Sequence, residues 1–301
     1  RWFEQKSAVF SAGLRDMDAI LGRDDRLVAK LVDAAEKVEA GFAAIIGTPV
    51  PAVIGTDHQA LRRMCEKKTD LPVLTVNTNG MELYDAGERK AYLELFKAFA
   101  REKQPVEAGK TGVLGMTPQD VSDLKAADKI REKFREKFKS QGHQAVCYGM
   151  GDGLDEVKKA SSAEKNIVVS PAALECARYL EKTFGTPYEM GYPLAEELVP
   201  DMDYTGKKIL IVQQQVMAGS IREELQKRGA DGGITVASWF SMEKDLLEEG
   251  DVSLRDEEDY MELAEKGGYD VIFADPCMKR MTKAFSGVFV DTVHFAVSGK
   301  C

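Results

Sequence analysis

Two glycine-containing stretches are the places where residue type and spacing could support ligand chemistry. Gly149–Gly153 (GMGDG) follows a predicted strand, and glycine-rich loops of this kind bring backbone N–H groups close to phosphates. It lacks the G-x-G-x-x-G spacing of dinucleotide sites, so an ordinary loop is the simpler interpretation. Met217–Ser220 (MAGS) stands between a predicted strand and a predicted helix. A helix N-terminus there would favour an anion, and the alternative is a tight turn.

The cysteines and histidines are too scattered to predict a metal site made by this chain alone. There are five cysteines and three histidines, and no C-x-x-C pair occurs. Cys277 lies just after a predicted strand, and the sequence fixes no basic group beside its thiol that would lower its pKa. The spacing places Cys65 and Cys176 on apolar helix faces and Cys147 within a strand. We therefore expect structural cysteines and a reducing, cytoplasmic environment.

The element that organises these candidates is the stretch Ala43–Asp57 (AAIIGTPVPAVIGTD). Its apolar start predicts a buried parallel strand, and the prolines after Gly47 predict a stiff turn. Thr56 or Asp57 is the predicted N-cap of the helix that follows. No Ser-His-Asp order, H-E-x-x-H or P-loop occurs anywhere in the chain. Ligands of open α/β sheets bind where strands end and helices begin, so this turn is the first candidate position.

The alternation of strands and helices predicts an α/β protein of three Rossmann-like domains with parallel sheets around a central cleft. Strand and helix patterns alternate in each third of the chain, and polar stretches near residues 103–110 and 199–206 separate the thirds. We expect the domains to span residues 1–105, 106–200 and 201–301, each near the common domain size. The first is expected to be incomplete at its N-terminus.

Composition excludes several classes of function. The net charge of -9 argues against nucleic-acid binding, which needs a basic face. No apolar stretch approaches the length of a membrane span, so we expect neither a nucleic-acid nor a membrane partner.

Nine residues end a predicted strand or lie just beyond one. Because the carboxyl edges of parallel strands form ligand clefts, we predict that these residues line the interdomain cleft. They are Thr48, Pro49, Asn79, Gly80, Gly151, Ser170, Pro171, Gln214 and Asp275. No catalytic role is assigned to any of them, and none is predicted to be a metal ligand.

Four segments resemble the nitrogenase component 1 family, which includes subunits of the molybdenum–iron protein, cofactor-assembly scaffolds and reductases of tetrapyrrole biosynthesis. Phe10–Leu27 is similar to the family's F-S-x-x-L-x-E-x-D-x-V-F-G-G-x-x-K-L segment, and Ala43–Asp57 to its S-E-C-P-x-x-x-I-G-D-D turn. Asn166–Tyr188 and Lys207–Leu225 resemble its second- and third-domain strand–helix segments. The resemblance implies three Rossmann-like domains around a cleft and the pairing of two such subunits.

The departures from the family pattern concern metal ligands. The cysteine of the S-E-C-P turn ligates an iron–sulfur cluster in the family, and this chain has Pro49 there. Where nitrogenase places the cysteine that holds its active-site cluster, this chain has Val169 and Ser170. We therefore expect an N-terminally truncated or divergent member without the usual cluster cysteines. Any iron–sulfur cluster would be held by residues upstream of Arg1 or by a partner subunit.

The resemblance implies two functions, which the sequence leaves open. The first is a subunit of a nitrogenase-like reductase that passes electrons from an ATP-driven iron protein to a substrate or metallocofactor in the cleft. The second is a non-catalytic scaffold or binding subunit for a metallocluster or tetrapyrrole. A homologous subunit, in a homo- or hetero-oligomer, is the expected partner in both. A stand-alone dehydrogenase would need the dinucleotide fingerprint, which is absent.

Overall fold

The computed structural model describes residues 7–13, 23–121, 127–149 and 152–299, and the chain divides into two compact units. The first unit is Arg1–Ala98 and the second is Phe99–Cys301. Within the described ranges, all strand pairs are parallel, and the strands form three separate sheets. The predicted α/β architecture with parallel sheets is confirmed. The division into three domains stays a prediction.

The first unit contains a two-stranded sheet with helices packed beside it. Strand β1 pairs in register with β2, from Ala43 opposite Val73 to Ile46 opposite Val76. Its core consists of the buried side chains of Val28, Ile45, Leu61, Cys65 and Val73. The elements are α1 (Asp24–Lys37), β1 (Ala43–Ile46), α2 (Pro49–Val53), α3 (His58–Glu66), β2 (Val73–Val76) and α4 (Tyr84–Phe99).

The turn after β1 differs from the expected turn in one respect. The helix α3 begins as predicted, because the Asp57 carboxylate accepts a hydrogen bond from the Ala60 N–H at 2.9 Å. Between β1 and Asp57, however, the chain forms the short helix α2, with Pro49 in its first turn. Proline is favoured at that position because its fixed φ suits a helix and its missing N–H would be unpaired anyway.

The second sheet lies in the second unit and has the strand order β4-β3-β5-β6. Its longest strand, β3, is central, which is why its residues from Lys110 onward are buried. The elements of this part are β3 (Glu107–Leu114), α5 (Pro118–Val121), α6 (Ala127–Ser140), β4 (Gln144–Cys147), α7 (Leu154–Lys158), β5 (Ala163–Val168), α8 (Leu174–Phe184), β6 (Tyr188–Met190) and α9 (Ala195–Leu198).

The third sheet, also in the second unit, has the strand order β11-β10-β7-β8-β9. Its central strands β7 and β10 are buried on both faces and consist of the apolar runs ILIV and VIFA, as expected for a parallel sheet covered by helices. The elements are β7 (Ile209–Val212), α10 (Gln215–Lys227), β8 (Ile234–Ser238), β9 (Val252–Ser253), α11 (Glu257–Lys266), β10 (Val271–Ala274), β11 (Val288–Asp291) and α12 (Phe295–Ser298).

One apolar core joins the second and third sheets. Val113 and Ile167 of the second sheet belong to the same cluster of buried side chains as Ile211 and Phe273 of the third. This shared core holds the carboxyl ends of strands from both sheets in one compact unit. Among the described helices, none has the length and apolar character needed to span a bilayer.

Candidate functional site

The carboxyl ends of β5 and β7 meet through the side chain of Gln214. Its Nε2 donates a hydrogen bond to the Val169 carbonyl at 2.7 Å, and its Oε1 accepts one from the Val216 N–H at 2.9 Å. One amide therefore caps α10 and ties the third sheet to the end of β5. Gln214 and Ser170 are 2% and 1% exposed, so both side chains are shielded from solvent at this edge of the sheets.

The end of β3 packs against Ser170, just after the end of β5. Gly115 has a φ of +86°, and a Cβ atom built on it would lie 3.0 Å from the Ser170 Cβ. Ser170 Oγ accepts a hydrogen bond from the Ala172 N–H at 3.2 Å, which starts the 3₁₀ turn Pro171–Ala173. Of the predicted cleft residues, the structure thus brings Ser170, Pro171 and Gln214 together.

Asp275, another predicted cleft residue, holds the ends of β10 and β11 together. Its carboxylate is fully buried and accepts hydrogen bonds from the Cys277 N–H at 2.9 Å and the His294 N–H at 2.8 Å. Gln213 completes this arrangement by donating to the carbonyls of Thr292 and Val293, both at 3.4 Å. The main chain that carries His294 is therefore fixed from two sides.

A narrow cavity without room for a water molecule lies at this edge of the third sheet. The His294 imidazole is 2% exposed and stands edge-on to the Phe240 ring, with 5.0 Å between ring centroids. The lining residues are Val212, Gln213, Ser238, Trp239, Phe240, His294 and Val297. We call the carboxyl ends of β5, β7, β10 and β11 together with this cavity the carboxyl-edge site. Its amide, hydroxyl and imidazole groups are of the types that bind a polar or metal-containing ligand.

Sequence reasoning did not identify Gln213 and His294. Gln213 and His294 each lie close to the end of a strand. Position at a strand end is also the signal that predicted Gln214 and Asp275 as cleft residues. His294 follows an edge strand, and its position beside Gln213 depends on pairing between residues far apart in sequence.

The other predicted site residues, apart from Gly151, belong to the first unit. Thr48, Pro49 and Gly80 are exposed in the first unit. Gly80 has a φ of +68°, and a Cβ atom built on it would lie 2.7 Å from the Pro49 ring. Asn79 Oδ1 accepts hydrogen bonds from the main-chain N–H groups of Met81 and Glu82, at 2.8 and 3.2 Å. Gly151 is outside the described residues.

Neither glycine-containing stretch forms an anion site in the described residues. Met217–Ser220 lies inside α10, which begins at Gln215, so the interpretation of this stretch as a turn before the helix is wrong. In the loop after β4, the Asp152 carboxylate pairs with Arg135 at 2.7 Å and accepts a hydrogen bond from the Cys147 N–H at 2.6 Å. Met150 and Gly151 of that loop are outside the described residues.

The described residues do not fit a resident iron–sulfur cluster ligated by cysteines of this chain. Cluster ligation needs accessible thiolates, and burial raises the pKa of the Cys65, Cys147 and Cys176 thiols, that of Cys147 to about 12. Position 49, at the turn after β1, is a proline without a ligand atom. No group of three or more His, Cys, Asp or Glu residues within the described ranges has the arrangement of a metal site.

The family model described as nitrogenase component 1 type oxidoreductase matches residues 1–194. The nitrogenase iron–molybdenum cofactor biosynthesis protein NifE of Clostridium pasteurianum is 26% identical over 181 residues, which are 60% of this chain and 38% of that protein. NifE of Klebsiella pneumoniae is 24% identical over 189 residues, 60% of this chain and 41% of that protein. The matched region thus spans about two fifths of these curated relatives.

The fold is similar to that of solved nitrogenase structures. Nitrogenase Cp1 at pH 6.5 superposes with a TM-score of 0.70, at 12% identity, over 94% of this chain and 75% of the other. Nitrogenase Cp1 at pH 5 gives a TM-score of 0.69, at 16% identity, over 97% of this chain and 74% of the other. At such identities the likeness shows a common fold.

Proposed function

The chain belongs to the nitrogenase component 1 type oxidoreductase family, and we propose that it is a binding subunit that holds a metallocluster or tetrapyrrole at the carboxyl-edge site. In this role the bound group is cargo or substrate. The observation that carries the proposal is the pair of contacts that fix this edge, from Gln214 to Val169 and from Asp275 to the His294 N–H. Rigid positioning of polar groups at strand ends is how open α/β sheets bind ligands.

The chemistry of the site favours binding over acid–base catalysis. The described side chains that line the cavity are neutral amide, hydroxyl, apolar and aromatic groups together with one imidazole. An imidazole is a common metal ligand, and it also packs against the face of a flat ring system. The cavity is far smaller than a typical ligand pocket and has no room for a water molecule, so it would have to widen to admit one edge of such a ligand.

The relatives support the same role. The proteins that match this chain in Clostridium pasteurianum and Klebsiella pneumoniae are described as iron–molybdenum cofactor biosynthesis proteins. A protein that handles such a cofactor during biosynthesis has to hold it and release it.

The family's description as oxidoreductases favours a second candidate, a subunit of a nitrogenase-like reductase. In this role the chain would receive electrons from an ATP-driven iron protein and pass them to the bound group. Since the described cysteines do not fit a cluster, residues outside the described ranges or a partner subunit would have to hold it. Family members form oligomers with partner subunits, and we extend that pairing to this chain.

Titration of the purified chain under anaerobic conditions separates the two candidates. A synthetic [4Fe–4S] thiolate cluster and protoporphyrin IX serve as probes, followed by absorption spectroscopy. The binding role predicts saturable, stoichiometric uptake of at least one probe by protein that is free of iron when purified. Stoichiometric iron and sulfide in the purified protein, reducible by an ATP-driven iron protein, would favour the reductase role. Uptake of neither probe contradicts the binding role.

A further inference from the structure

An open cavity of about 510 Å³ lies along β4, at the edge of the second sheet. This volume is within the range of small-molecule sites, and the cavity shares no lining residue with the cavity of the carboxyl-edge site. We call it the β4-edge cavity. Its walls include Arg135 and Lys139 of α6, Ala145 and Val146 of β4, and Asp152 and Glu156.

The edge of β4 is closed to a further strand at Cys147. Exposed strand edges commonly accept another strand through their outward N–H and C=O groups. The Tyr148 N–H donates inward to the Val113 carbonyl at 3.1 Å, so the preceding N–H, that of Cys147, points outward. The Asp152 carboxylate already accepts this N–H at 2.6 Å, and Arg135 holds that carboxylate at 2.7 Å. The space beside β4 therefore suits a small molecule.

The charged groups around the cavity leave one cation without an opposite charge. Arg135 pairs with Asp152, as described above. The Glu156 carboxylate lies 3.3 Å from the ammonium of Lys110, which is buried. In the part of the chain that the structure describes, no carboxylate pairs with Lys139. Because the chain as a whole has a net charge of -9 and repels anions, this ammonium marks the point of the cavity where an anionic group would bind.

The turn after α6 fixes the backbone that carries Lys139. The Gly142 N–H donates to the Lys139 carbonyl at 3.0 Å, and Gly142 has a φ of +81°. The His143 N–H donates to the Phe138 carbonyl at 2.9 Å, which completes the Schellman motif that ends many helices. The Phe138 side chain belongs to the core that joins the second and third sheets. This part of the cavity is therefore formed before a ligand arrives, which lowers the entropy cost of binding.

The β4 wall of the cavity is apolar. Ala145 and Val146 are only 6% and 4% exposed. The methylene groups of Arg135 and Lys139 extend this wall, since long basic side chains cover apolar surface while their charges stay in water. A ligand that is charged over its whole surface would lose hydration against such a wall. A single anionic group joined to an uncharged body fits both the ammonium and the apolar wall.

We propose that the β4-edge cavity binds a small organic monocarboxylate, with its carboxylate at the Lys139 ammonium and its uncharged body against Ala145 and Val146. An inorganic anion would satisfy only the ammonium. A neutral amide of the same shape would satisfy only the apolar wall. The proposal does not rest on the proposed function, because the two cavities have no lining residue in common.

Titration of the purified chain with benzoate at neutral pH, followed by ligand-observed NMR, tests the proposal. We expect saturable binding with a dissociation constant below about 5 mM. Benzamide, which has nearly the same shape and no charge, should bind at least about tenfold more weakly. Inorganic phosphate at the same concentration should not displace benzoate.

Two lysine variants locate the bound benzoate. Lys139→Met removes the charge and keeps an apolar stem, so it should weaken benzoate binding at least about tenfold. Lys129→Met is the matched control, because Lys129 is another exposed lysine of α6 but lies outside the cavity. This variant should bind benzoate like the wild type, and circular dichroism should show equal folding in all three proteins.

Benzoate binding that does not saturate by about 20 mM would overturn the proposal, and so would equal affinity for benzamide. Equal effects of the two lysine substitutions would show that benzoate binds elsewhere, which would also overturn it. Displacement of benzoate by equimolar phosphate would overturn the role of the apolar wall. The probe titration of the carboxyl-edge site reports separately on the proposed function.

Discussion

Gln214 and Val169 are 45 residues apart, and the 2.7 Å hydrogen bond between the Gln214 Nε2 and the Val169 carbonyl joins the carboxyl ends of β7 and β5. The same side chain caps α10 through the Val216 N–H. Both groups are buried. The bond therefore adds a polar contact at the carboxyl-edge site to the apolar core that joins the second and third sheets.

Replacing this amide should destabilise the second unit. Gln214→Ala leaves the buried Val169 carbonyl and the Val216 N–H without this partner, so we expect a loss of about 1–3 kcal/mol in the free energy of unfolding. Urea unfolding followed by circular dichroism measures it. The control Gln226→Ala, on the exposed side of the same helix, should change stability by less than about 0.5 kcal/mol. Equal effects of the two substitutions would contradict the role of Gln214.

The sequence predicted the local elements of the fold well. The apolar run of β1, the prolines after Gly47 and the Asp57 cap are all signals within about fifteen residues, and the structure contains the strand and the cap. The strand is less buried than predicted, because only Ile45 of its four residues is buried. The similarity to the nitrogenase component 1 family, first indicated by loosely matching segments, is confirmed by the family match.

Long-range features and one helix start were not predictable in the same way. Glutamine is not among the favoured N-cap residues, so the sequence pattern predicts too late a start for α10 and puts Met217–Ser220 ahead of the helix. His294 enters the candidate site through the pairing of β10 with β11 and through the Asp275 carboxylate. No local pattern in the sequence reports such contacts.

The contact between Pro49 and Gly80 has a matched control in Gly55. Both glycines have a φ of +68°, but a Cβ atom at Gly55 meets nothing within 4 Å. Gly55→Ala should therefore cost only the conformational strain, about 1–2 kcal/mol. Gly80→Ala should cost about 1–3 kcal/mol more, because its methyl group would collide with the proline ring. Urea unfolding of both variants, and of Gly80→Ala/Pro49→Ala, measures the difference. In the double variant, Pro49→Ala should recover most of the stability that Gly80→Ala loses beyond the loss in Gly55→Ala. If it recovers none, the contact between Pro49 and Gly80 is contradicted.

The buried ion pair between Arg222 and Asp251 should be important for the stability of the third sheet. Both side chains are at most 3% exposed, and the Asp251 carboxylate also accepts hydrogen bonds from the N–H groups of Val236 and Glu248. Arg222→Met leaves this carboxylate buried without its cation, so we expect a loss of about 3–5 kcal/mol. Thermal and urea unfolding measure it.

Arg255 provides the control for that substitution, because it pairs with Asp259 while 84% of its side chain is exposed. Arg255→Met should hardly change stability, since solvent screens exposed pairs. If the two arginine substitutions had the same effect, the buried pair would not stabilise the sheet.

The buried thiol of Cys147 predicts a loss of stability at alkaline pH. Burial raises its pKa from an ordinary value of 9.0 to about 12, so between these values the unfolded state releases a proton that the folded state retains. The free energy of unfolding should fall through this window, with this group contributing at most about 1.4 kcal/mol per pH unit. Urea unfolding between pH 8 and 11 measures the slope. Cys147→Ala should make it shallower, and an unchanged slope would contradict the assignment.

The central claim, that the carboxyl-edge site binds the ligand, is tested most directly by the affinity of His294→Ala for whichever probe the wild-type chain takes up. Anaerobic titration should show at least tenfold weaker binding, about 1.4 kcal/mol, for this variant. His143→Ala, which removes an imidazole just before the start of β4, should bind like the wild type. Wild-type affinity in His294→Ala, with both variants equally folded, would contradict the account.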